Sequence, residues 1–225
     1  MPEAKHALII GASRGLGLGL AQRFLEQGWA VTATVRGAPP TELTEAGATL
    51  QTLEINDLPS QDALVHALNA QTFDVIFINA GVMGPTGALD AVEPQALLDL
   101  FATNVLSPIR LASRLVGNLT ADTGVLAFMS STLGTVASPD APDAALYKAS
   151  KAALNSMVNT FVTTLSEPRP TVVCMHPGWV KTDMGGPGAD IDVATSTKGM
   201  VGQLQALAGK GGLQFIDYTG KALPW

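Results

Sequence analysis

The sequence predicts an α/β protein built on a doubly wound parallel sheet with helices on both faces. Short apolar segments alternate with helical periodicity along all 225 residues, without a linker, internal repeat or low-complexity tract. Hydrophobic residues make up 47% of the chain and charged residues 14%, which suits a sheet buried on both faces. A glycine-rich turn also follows the first apolar segment directly. We therefore expect one domain over residues 1–225 with about seven strands.

The predicted elements follow one another in regular order. Strands are expected at residues 6–10, 30–35, 49–54, 74–78, 124–129, 171–176 and 213–217. Helices are expected at residues 15–27, 60–70, 94–117, 144–166 and 192–208, with a weaker one near 40–46. Right-handed crossovers between parallel strands place the helices on both faces of the sheet. They also place a ligand crevice at the carboxyl ends of the strands.

The first turn, Gly11-Ala-Ser-Arg-Gly15-Leu-Gly17, joins a strand to a helix whose apolar stripe includes Leu16 and Leu20. Glycine backbone can approach a phosphate closely, and the amides and dipole at a helix N-terminus favour negative charge. The turn therefore predicts a Rossmann-type site for the pyrophosphate of a dinucleotide, although its spacing is not G-x-G-x-x-G.

The same residues also match the G-x-S-x-G pattern of a hydrolase nucleophile, with Ser13 at its centre. Asp143 and His176 follow in the chain order that a serine hydrolase uses. Such enzymes place their nucleophile after several strands, however, and only ten residues precede Gly11. Hydrolysis by Ser13 is therefore the minor alternative.

A second chemical motif is Tyr147-Lys-Ala-Ser-Lys151, which lies on a predicted helix. The four-residue interval puts the phenol of Tyr147 and the ammonium of Lys151 on one face. A nearby cation favours the phenolate, so this pair predicts a lowered tyrosine pKa and proton transfer. If this Tyr/Lys motif is considered without the other motifs, a solvated surface pair is the simpler interpretation.

Six short motifs together resemble one family. They are Gly11-x-x-x-Gly15-x-Gly17, Asn79-Ala-Gly81, Asn104, Ser131, Tyr147-x-x-x-Lys151 and Pro177-Gly178. Their order and spacing are similar to those of the short-chain dehydrogenase/reductase family over essentially the whole chain. The segment His176–Gly186 and the residues Gly220–Trp225 resemble the small carbonyl-reductase subgroup that includes sniffer and the C-factor-like bacterial proteins.

This resemblance implies NADPH-dependent reduction of an aldehyde or ketone. The resemblance to the C-factor-like proteins also raises an alternative, an NADP-binding signalling or regulatory protein with little turnover. Tyr147 would act as the general acid, Ser131 would bind the carbonyl oxygen, Lys151 would hold the ribose and Asn104 would fix a relay water. Ser131 is favoured over Ser130 because the family pattern Ser-x-x-Gly is completed by Gly134. The resemblance assigns the cofactor contacts to Gly11, Ser13, Arg14, Gly15, Leu16, Gly17, Arg36, Glu54, Asn79, Ala80, Gly81, Tyr147, Lys151, Pro177, Gly178, Val180 and Thr182.

The second predicted strand indicates which nucleotide is used. Enzymes that prefer NAD place a carboxylate at the end of this strand, where the present chain has Val35 and Arg36. Arg14 and Arg36 are therefore expected to flank a 2′-phosphate, as in NADP-preferring members. Glu54 replaces the family's usual Asp at the adenine position, which leaves that contact open.

Other functions are disfavoured. The net charge of −6 and the absence of a basic run argue against nucleic-acid binding. The three histidines, His6, His66 and His176, are scattered, so no metal is expected. Cys174 lies in an apolar strand and is expected to be inert. No segment is apolar for long enough to suggest a membrane span or a signal peptide, so a cytoplasmic location is expected.

Two further expectations concern surfaces. Met83, Leu133, Trp179, Met184 and Met200 are candidates for an apolar substrate pocket, although such residues are as often part of a core. The predicted helices at 94–117 and 144–166 carry apolar residues on more than one face, which predicts a homodimer. The residues concerned are Leu97, Phe101, Leu111, Leu154, Met157 and Phe161.

Overall fold

The computed structural model describes residues 4–137 and 141–225. Seven parallel strands form one sheet in the order β3-β2-β1-β4-β5-β6-β7. The strands are β1 (His6–Ile10), β2 (Ala30–Val35), β3 (Thr49–Thr52), β4 (Val75–Ile78), β5 (Val125–Met129), β6 (Thr171–His176) and β7 (Gly212–Asp217). All seven predicted strands are confirmed, although β3 ends at Thr52 rather than at residue 54.

Within the part of the chain that the structure describes, seven α-helices connect these strands. They are α1 (Gly15–Glu26), α2 (Thr41–Glu45), α3 (Leu58–Ala67), α4 (Pro94–Phe101), α5 (Ser107–Leu115), α6 (Ala145–Thr163) and α7 (Val193–Leu207). Short 3₁₀ turns lie at Leu89–Ala91, Val116–Asn118, Thr132–Gly134 and Pro142–Ala144. Among the residues described, no helix has the length and apolar character needed to span a membrane.

The helix predicted over residues 94–117 is confirmed, but it is not a regular α-helix throughout. The π-helical segment Ala102–Leu106 separates α4 from α5, and there the N–H of Ser107 donates to the carbonyl of Ala102, five residues earlier. Pro108 explains the irregularity, because it has no N–H to donate to the carbonyl of Asn104. The widened turn contains Asn104, one of the predicted site residues.

The two faces of the sheet are covered by different helices. Within β1, Ala7 and Ile9 face one core, whereas Leu8 and Ile10 face the other. Residues of α1 and α7 complete the first core, and residues of α3, α5 and α6 complete the second. This is the doubly wound arrangement that the sequence predicts.

The strand order reverses between β1 and β4. The chain moves outward from β1 through β2 to β3 and then returns to place β4 on the other side of β1. The loops that leave the carboxyl ends of β1 and β4 therefore diverge to opposite faces and open a crevice between them. The glycine-rich turn follows β1, and Asn79 follows β4, so both lie at this crevice.

Candidate active site

The turn between β1 and α1 requires glycine at two positions. Gly11 has a φ of +88°, and a Cβ on it would lie 3.1 Å from the Cα of Ala80. A Cβ on Gly17 would lie only 1.9 Å from the carbonyl oxygen of Gly11. The backbone segments of β1, α1 and the loop after β4 can therefore meet here only because Gly11 and Gly17 have no Cβ.

The N-terminus of α1 is open to an anion. Helices α3 and α7 are capped by the preceding residues Asp57 and Asp192, whose carboxylates accept N–H bonds from the first turn of each helix. At α1 the corresponding position is Arg14, whose side chain makes no such bond. The glycine turn and the uncapped start of α1 thus fit a pyrophosphate. Its oxygens would accept hydrogen bonds from the main-chain N–H groups that a capping side chain accepts in other helices.

Four further hydrogen bonds fix this turn. The main-chain N–H of Gly11 donates to Thr34 Oγ1 at 2.9 Å, and Asn79 Nδ2 donates to the carbonyl of Gly11 at 2.7 Å. The main-chain N–H groups of Asn79 and Ala80 both donate to the carbonyl of Ile10. Thr34 was not predicted as a site residue. The available signal was the presence of two threonines, Thr32 and Thr34, in a strand that is otherwise apolar.

The two arginines of the expected 2′-phosphate site differ in their surroundings. Arg36 is exposed just after β2, and its N–H donates to Ser13 Oγ at 3.3 Å. The guanidinium of Arg14 instead pairs with Asp183 at 2.6 Å, on the loop that follows β6. Both side chains of this pair are largely exposed. Val35 is buried at the end of β2, so no carboxylate occupies that strand end.

The catalytic candidates meet where β5 ends against α6. Tyr147 and Lys151 lie one helical turn apart, and the Lys151 ammonium is 5.5 Å from the centre of the Tyr147 ring. Lys151 Nζ donates to the carbonyl of Met129, the last residue of β5, at 2.7 Å. Ser131 follows two residues later, and hydrogen bonding by its side chain acts on the Tyr147 phenol. All three candidate side chains are buried.

Burial controls the electrostatics of this group. It raises the pKa of Tyr147 to about 12, and hydrogen bonding by Ser131 acts in the opposite direction. Burial lowers the pKa of Lys151 to about 8. The lowered tyrosine pKa expected from the neighbouring lysine is therefore wrong, because the loss of hydration on burial outweighs the hydrogen bonding that favours the phenolate. A protonated phenol at neutral pH is the form that can donate a proton.

Asn104 reaches the same region from the π-helical segment. Its Oδ1 accepts the N–H of Val82 at 2.8 Å, and its Nδ2 donates both to the Val82 carbonyl and to Ser150 Oγ. A Cβ on Gly81 would lie 3.4 Å from Asn104 Oδ1 and 3.6 Å from Lys151 Nζ. Gly81 thus lies between the amide of Asn104 and the ammonium of Lys151.

The segment after β6 forms a closed loop. Val180 bridges to Ile191, and the N–H groups of Asp190 and Ile191 donate to the carbonyl of Trp179. The Trp179 indole N–H donates to the carbonyl of Gly185 at 2.8 Å. Thr182 lies across from the glycine turn, since a Cβ on Gly15 would be 3.6 Å from Thr182 Cγ2.

The Pro177-Gly178 turn is held from two sides. The Pro177 carbonyl accepts a bond from Ser196 Oγ at 2.6 Å. Gly178 has a φ of +85°, and a Cβ there would lie 2.7 Å from Ile191 Cδ1. This packing keeps the start of the 179–191 loop at the carboxyl edge of the sheet, beside the glycine turn.

Comparison with known proteins agrees with this geometry. A sequence model of the family described as short chain dehydrogenase matches residues 5–190. The chain belongs to the short-chain dehydrogenase family. Among its relatives in this family is the C-signal protein of Myxococcus xanthus, which is 37% identical over 155 residues covering 68% of this chain and 92% of the relative.

Solved structures of short-chain dehydrogenases are also similar to this protein. A carbonyl reductase from Pseudomonas aeruginosa PAO1 in complex with NADP is 36% identical, with a TM-score of 0.89 over 99% of this chain and 100% of the other. The carbonyl reductase Sniffer of Drosophila melanogaster is 31% identical, with a TM-score of 0.85 over 99% of this chain and 100% of the other.

The hydrolase alternative finds no support in this short-chain dehydrogenase. Ser13 Oγ accepts the N–H of Arg36, and no hydrogen bond within the described residues joins Ser13 to His176 or Asp143. His176 lies beside Asp217 instead, and burial lowers the pKa of its imidazole to about 4. Asp143 is exposed.

Several other predicted residues have a clear position. Glu54 is exposed after β3, and its main chain donates to Ser60 Oγ. Met200 is fully buried in the core between the sheet and α7, so it is not a pocket residue. Cys174 is buried, and burial raises its pKa to about 12, which agrees with an inert thiol. Within residues 4–137 and 141–225, no three His, Cys, Asp or Glu residues are grouped as metal ligands would be.

Proposed function

We propose that the protein is an NADPH-dependent reductase that converts the carbonyl group of an aldehyde or ketone to an alcohol, in a reaction that is reversible in principle. The observation that carries this proposal is the meeting of Tyr147, Ser131 and Lys151 at the sheet edge that also bears the glycine turn. The similar Pseudomonas carbonyl reductase, solved with NADP, supports the same assignment.

The residues divide the chemistry between them. Bound NADPH supplies the hydride that the carbonyl carbon accepts. Tyr147 donates its phenolic proton to the carbonyl oxygen, and its raised pKa keeps that proton in place at neutral pH. Ser131 hydrogen-bonds the same oxygen and holds it against the phenol. The carbon thus gains a hydride and the oxygen gains a proton, which completes the alcohol.

Lys151 and Asn104 complete the proposed site. One donor of the Lys151 ammonium is used by the Met129 carbonyl, which leaves two for ribose hydroxyls. The side-chain amide of Asn104 is already hydrogen-bonded to Val82 and Ser150. The proposed water would therefore bind the main-chain carbonyl of Asn104 or the remaining acceptor position of its Oδ1. Such a water, next to Lys151, returns a proton to Tyr147 after each reduction.

The nucleotide is proposed to lie along the crevice between β1 and β4. The pyrophosphate is held by the glycine turn, and the 2′-phosphate by Arg14 and Arg36, since no carboxylate stands at Val35. Thr182 would bind the carboxamide, and Glu54 would be the residue nearest the adenine. The remaining contacts come from main chain at Asn79–Gly81, at Pro177-Gly178 and at Val180.

The substrate is proposed to be predominantly apolar. Met83 and Leu133 are half-buried near the site, and Trp179 and Met184 are 53% and 44% exposed on the 179–191 loop. These side chains offer hydrophobic contact around the one polar group that Tyr147 and Ser131 bind. Met200 is excluded from this set by its burial.

We also propose a homodimer, but the residues that form its interface differ from those that the sequence suggested. Leu111, Leu154 and Phe161, which the sequence suggested as surplus apolar residues, are buried in the protein's own core. The exposed apolar residues on these segments are Leu98, Leu106 and Met157. Light scattering at micromolar concentration should show a dimer, and a monomer alone would contradict this part of the proposal. The cytoplasmic location stays a prediction.

A carbonyl panel tests the proposed function. NADPH consumption, followed through the absorbance of the nucleotide, should require an aldehyde or ketone and should be greatest with apolar substrates. The product should be the corresponding alcohol, identified by chromatography. Tight NADPH binding without turnover of any carbonyl would favour the second candidate, a nucleotide-binding signalling protein, to which the similarity with C-signal points.

A further inference from the structure

The end of β5 makes three consecutive contacts with helix α6. The Met129 carbonyl accepts from Lys151, Ser130 Oγ donates to Asn155 Oδ1 at 2.6 Å, and Ser131 faces Tyr147. Tyr147, Lys151 and Asn155 are spaced by four residues and share one face of α6. Two of these contacts involve proposed catalytic residues, and the third joins two residues with no chemical role in the reaction.

We propose that Ser130 and Asn155 are positioning residues, which through their mutual hydrogen bond hold Ser131 at the correct distance from Tyr147. This inference rests on the proposed reductase function and extends it to a pair outside the reacting groups. Ser130 and Asn155 are 1% and 4% exposed, so neither side chain reaches substrate or solvent.

The polar character of Asn155 indicates a role beyond packing. Its flanking core residues on α6, Leu154 and Val158, are aliphatic and buried. The Nδ2 atom of Asn155 is buried without a hydrogen-bond partner among the described residues. An aliphatic side chain would fill this space and leave no such unpaired donor. What the amide adds is therefore its hydrogen bond to Ser130.

Ser130 transmits this constraint directly to its neighbour. Its N–H donates to the Met175 carbonyl at 2.8 Å, so its main chain is fixed to β6 while its hydroxyl is fixed to α6. Ser131 follows in extended conformation, with φ −156° and ψ 149°. Anchoring Ser130 in two directions restricts where the main chain of Ser131 can lie, and the Ser131 hydroxyl itself accepts the N–H of Leu133 at 3.1 Å.

Gly134 makes the close approach possible. A Cβ on Gly134 would lie 2.9 Å from Asn155 Nδ2 and 3.1 Å from the Lys151 carbonyl. The turn that carries Ser131 thus rests directly on the backbone of α6 between Lys151 and Asn155. The hydrogen bond of Ser130 then sets where along the helix this turn sits.

The variants that test the pair are Ser130→Ala, Asn155→Leu and the double substitution. Asn159→Leu is the matched control, because Asn159 lies one turn further along α6 and is exposed. Each single substitution should lower kcat by about tenfold to 100-fold, as expected for a small misplacement of reacting groups. The KM for the carbonyl and the Kd for NADPH should stay within about threefold, because neither residue contacts a ligand.

The double-mutant cycle separates a pair from two independent effects. If the residues act through one hydrogen bond, the double variant should be no slower than the slower single variant. Multiplied effects in the double variant would overturn the proposal. So would an unchanged kcat in Ser130→Ala at a temperature well below its Tm, since a purely structural role would move only the Tm.

A readout independent of activity distinguishes this inference from the reductase assignment. Crystal structures of Ser130→Ala and the unmodified protein should differ by about 0.5 Å or more in the Ser131 Oγ to Tyr147 Oη separation. An unchanged separation would refute the positioning role, whether or not the protein reduces carbonyls. An unmodified protein without turnover would instead count against the reductase function. If Asn155→Leu does not fold, Ser130→Ala, the smaller change, carries the test alone.

Discussion

The guanidinium of Arg14 and the carboxylate of Asp183 form an ion pair of 2.6 Å between two loops that are 169 residues apart in the chain. Arg14 belongs to the glycine turn, and Asp183 belongs to the 179–191 loop. The pair therefore spans the crevice at the carboxyl edge of the sheet. It also engages a guanidinium that the proposed function assigns to a phosphate, so under that proposal the carboxylate would compete with the nucleotide for Arg14.

Asp183→Asn should tighten NADPH binding by removing that competition. Exposed ion pairs contribute about 0.2–1 kcal/mol, so the Kd should fall by up to about fivefold. NADH, which has no 2′-phosphate, should bind with little change. Isothermal titration measures both constants. Asp190→Asn removes the same charge from the same loop and is the control; an equal gain in that variant would show a general charge effect.

Arg36 should contribute to nucleotide preference. In the unmodified protein, NADPH should raise the Tm more than NADH does at equal concentration, because the more tightly bound ligand stabilises the native state more. Arg36→Ala should narrow this difference. Arg169→Ala, which removes an exposed guanidinium from the loop before β6, should leave it intact. Equal Tm shifts for the two nucleotides in the unmodified protein would contradict the preference.

Gly17→Ala should disrupt the glycine turn. The added methyl would lie 1.9 Å from the Gly11 carbonyl oxygen and 2.6 Å from Asn79 Nδ2, so the backbone must shift. We expect a lowered Tm and loss of NADPH binding. Gly202→Ala, also in a helix, has no atom within 4 Å of the added methyl and should gain up to about 1 kcal/mol of stability. Thermal unfolding with and without nucleotide measures both effects.

His176 should make stability depend on pH in the acid range. Burial lowers its pKa from 6.5 to about 4, so the unfolded chain takes up a proton at a higher pH than the folded protein does. The stabilisation is complete above pH 6.5 and is lost as the pH falls to about 4, with a maximum of about 3 kcal/mol. His176→Gln should flatten the pH dependence of urea unfolding over this window. His66→Gln, at an exposed position, should not.

Tyr147→Phe should abolish most of the carbonyl reduction. The substitution removes the proton donor and keeps the ring, and general acid catalysis contributes about 10²- to 10⁴-fold to kcat. NADPH affinity should change little, because Lys151 and the glycine turn remain. Tyr218 is the other tyrosine of the chain, so Tyr218→Phe is the control and should retain activity. A Tyr147→Phe variant that reduces a good carbonyl substrate normally would contradict the proposed mechanism.

The fold was predictable because local signals agreed with the tertiary arrangement. The strands of the sheet interior are continuous apolar runs, such as Val75–Ile78, bounded by turn residues. The irregularity within the helical residues 94–117 has a local cause as well. Pro108 was visible in the sequence, but proline is tolerated in the first turn of a helix, so its presence alone did not reveal a π-helical segment before it.

The site was predictable to the level of residue types and spacing. Tyr147 and Lys151 share a helix face, so their proximity follows from four-residue spacing alone. The contact of Arg14 with Asp183 depends on how two distant loops meet, which no local pattern encodes. The raised pKa of Tyr147 likewise depends on the depth of burial, and burial follows from the packing of α6 on the sheet. Neither could be derived from the sequence.

The 179–191 loop is closed at its base, which makes its interior structurally independent of the strand and the helix that it joins. Because Val180 pairs with Ile191 at its base, the length and composition between them can vary without displacing β6 or α7. The proposed proton donor and nucleotide turn lie elsewhere in the chain. Substitutions in this loop, other than at Val180 and Thr182, which are proposed to contact the nucleotide, would therefore alter selectivity for one carbonyl compound over another and leave Tyr147 and the glycine turn unchanged.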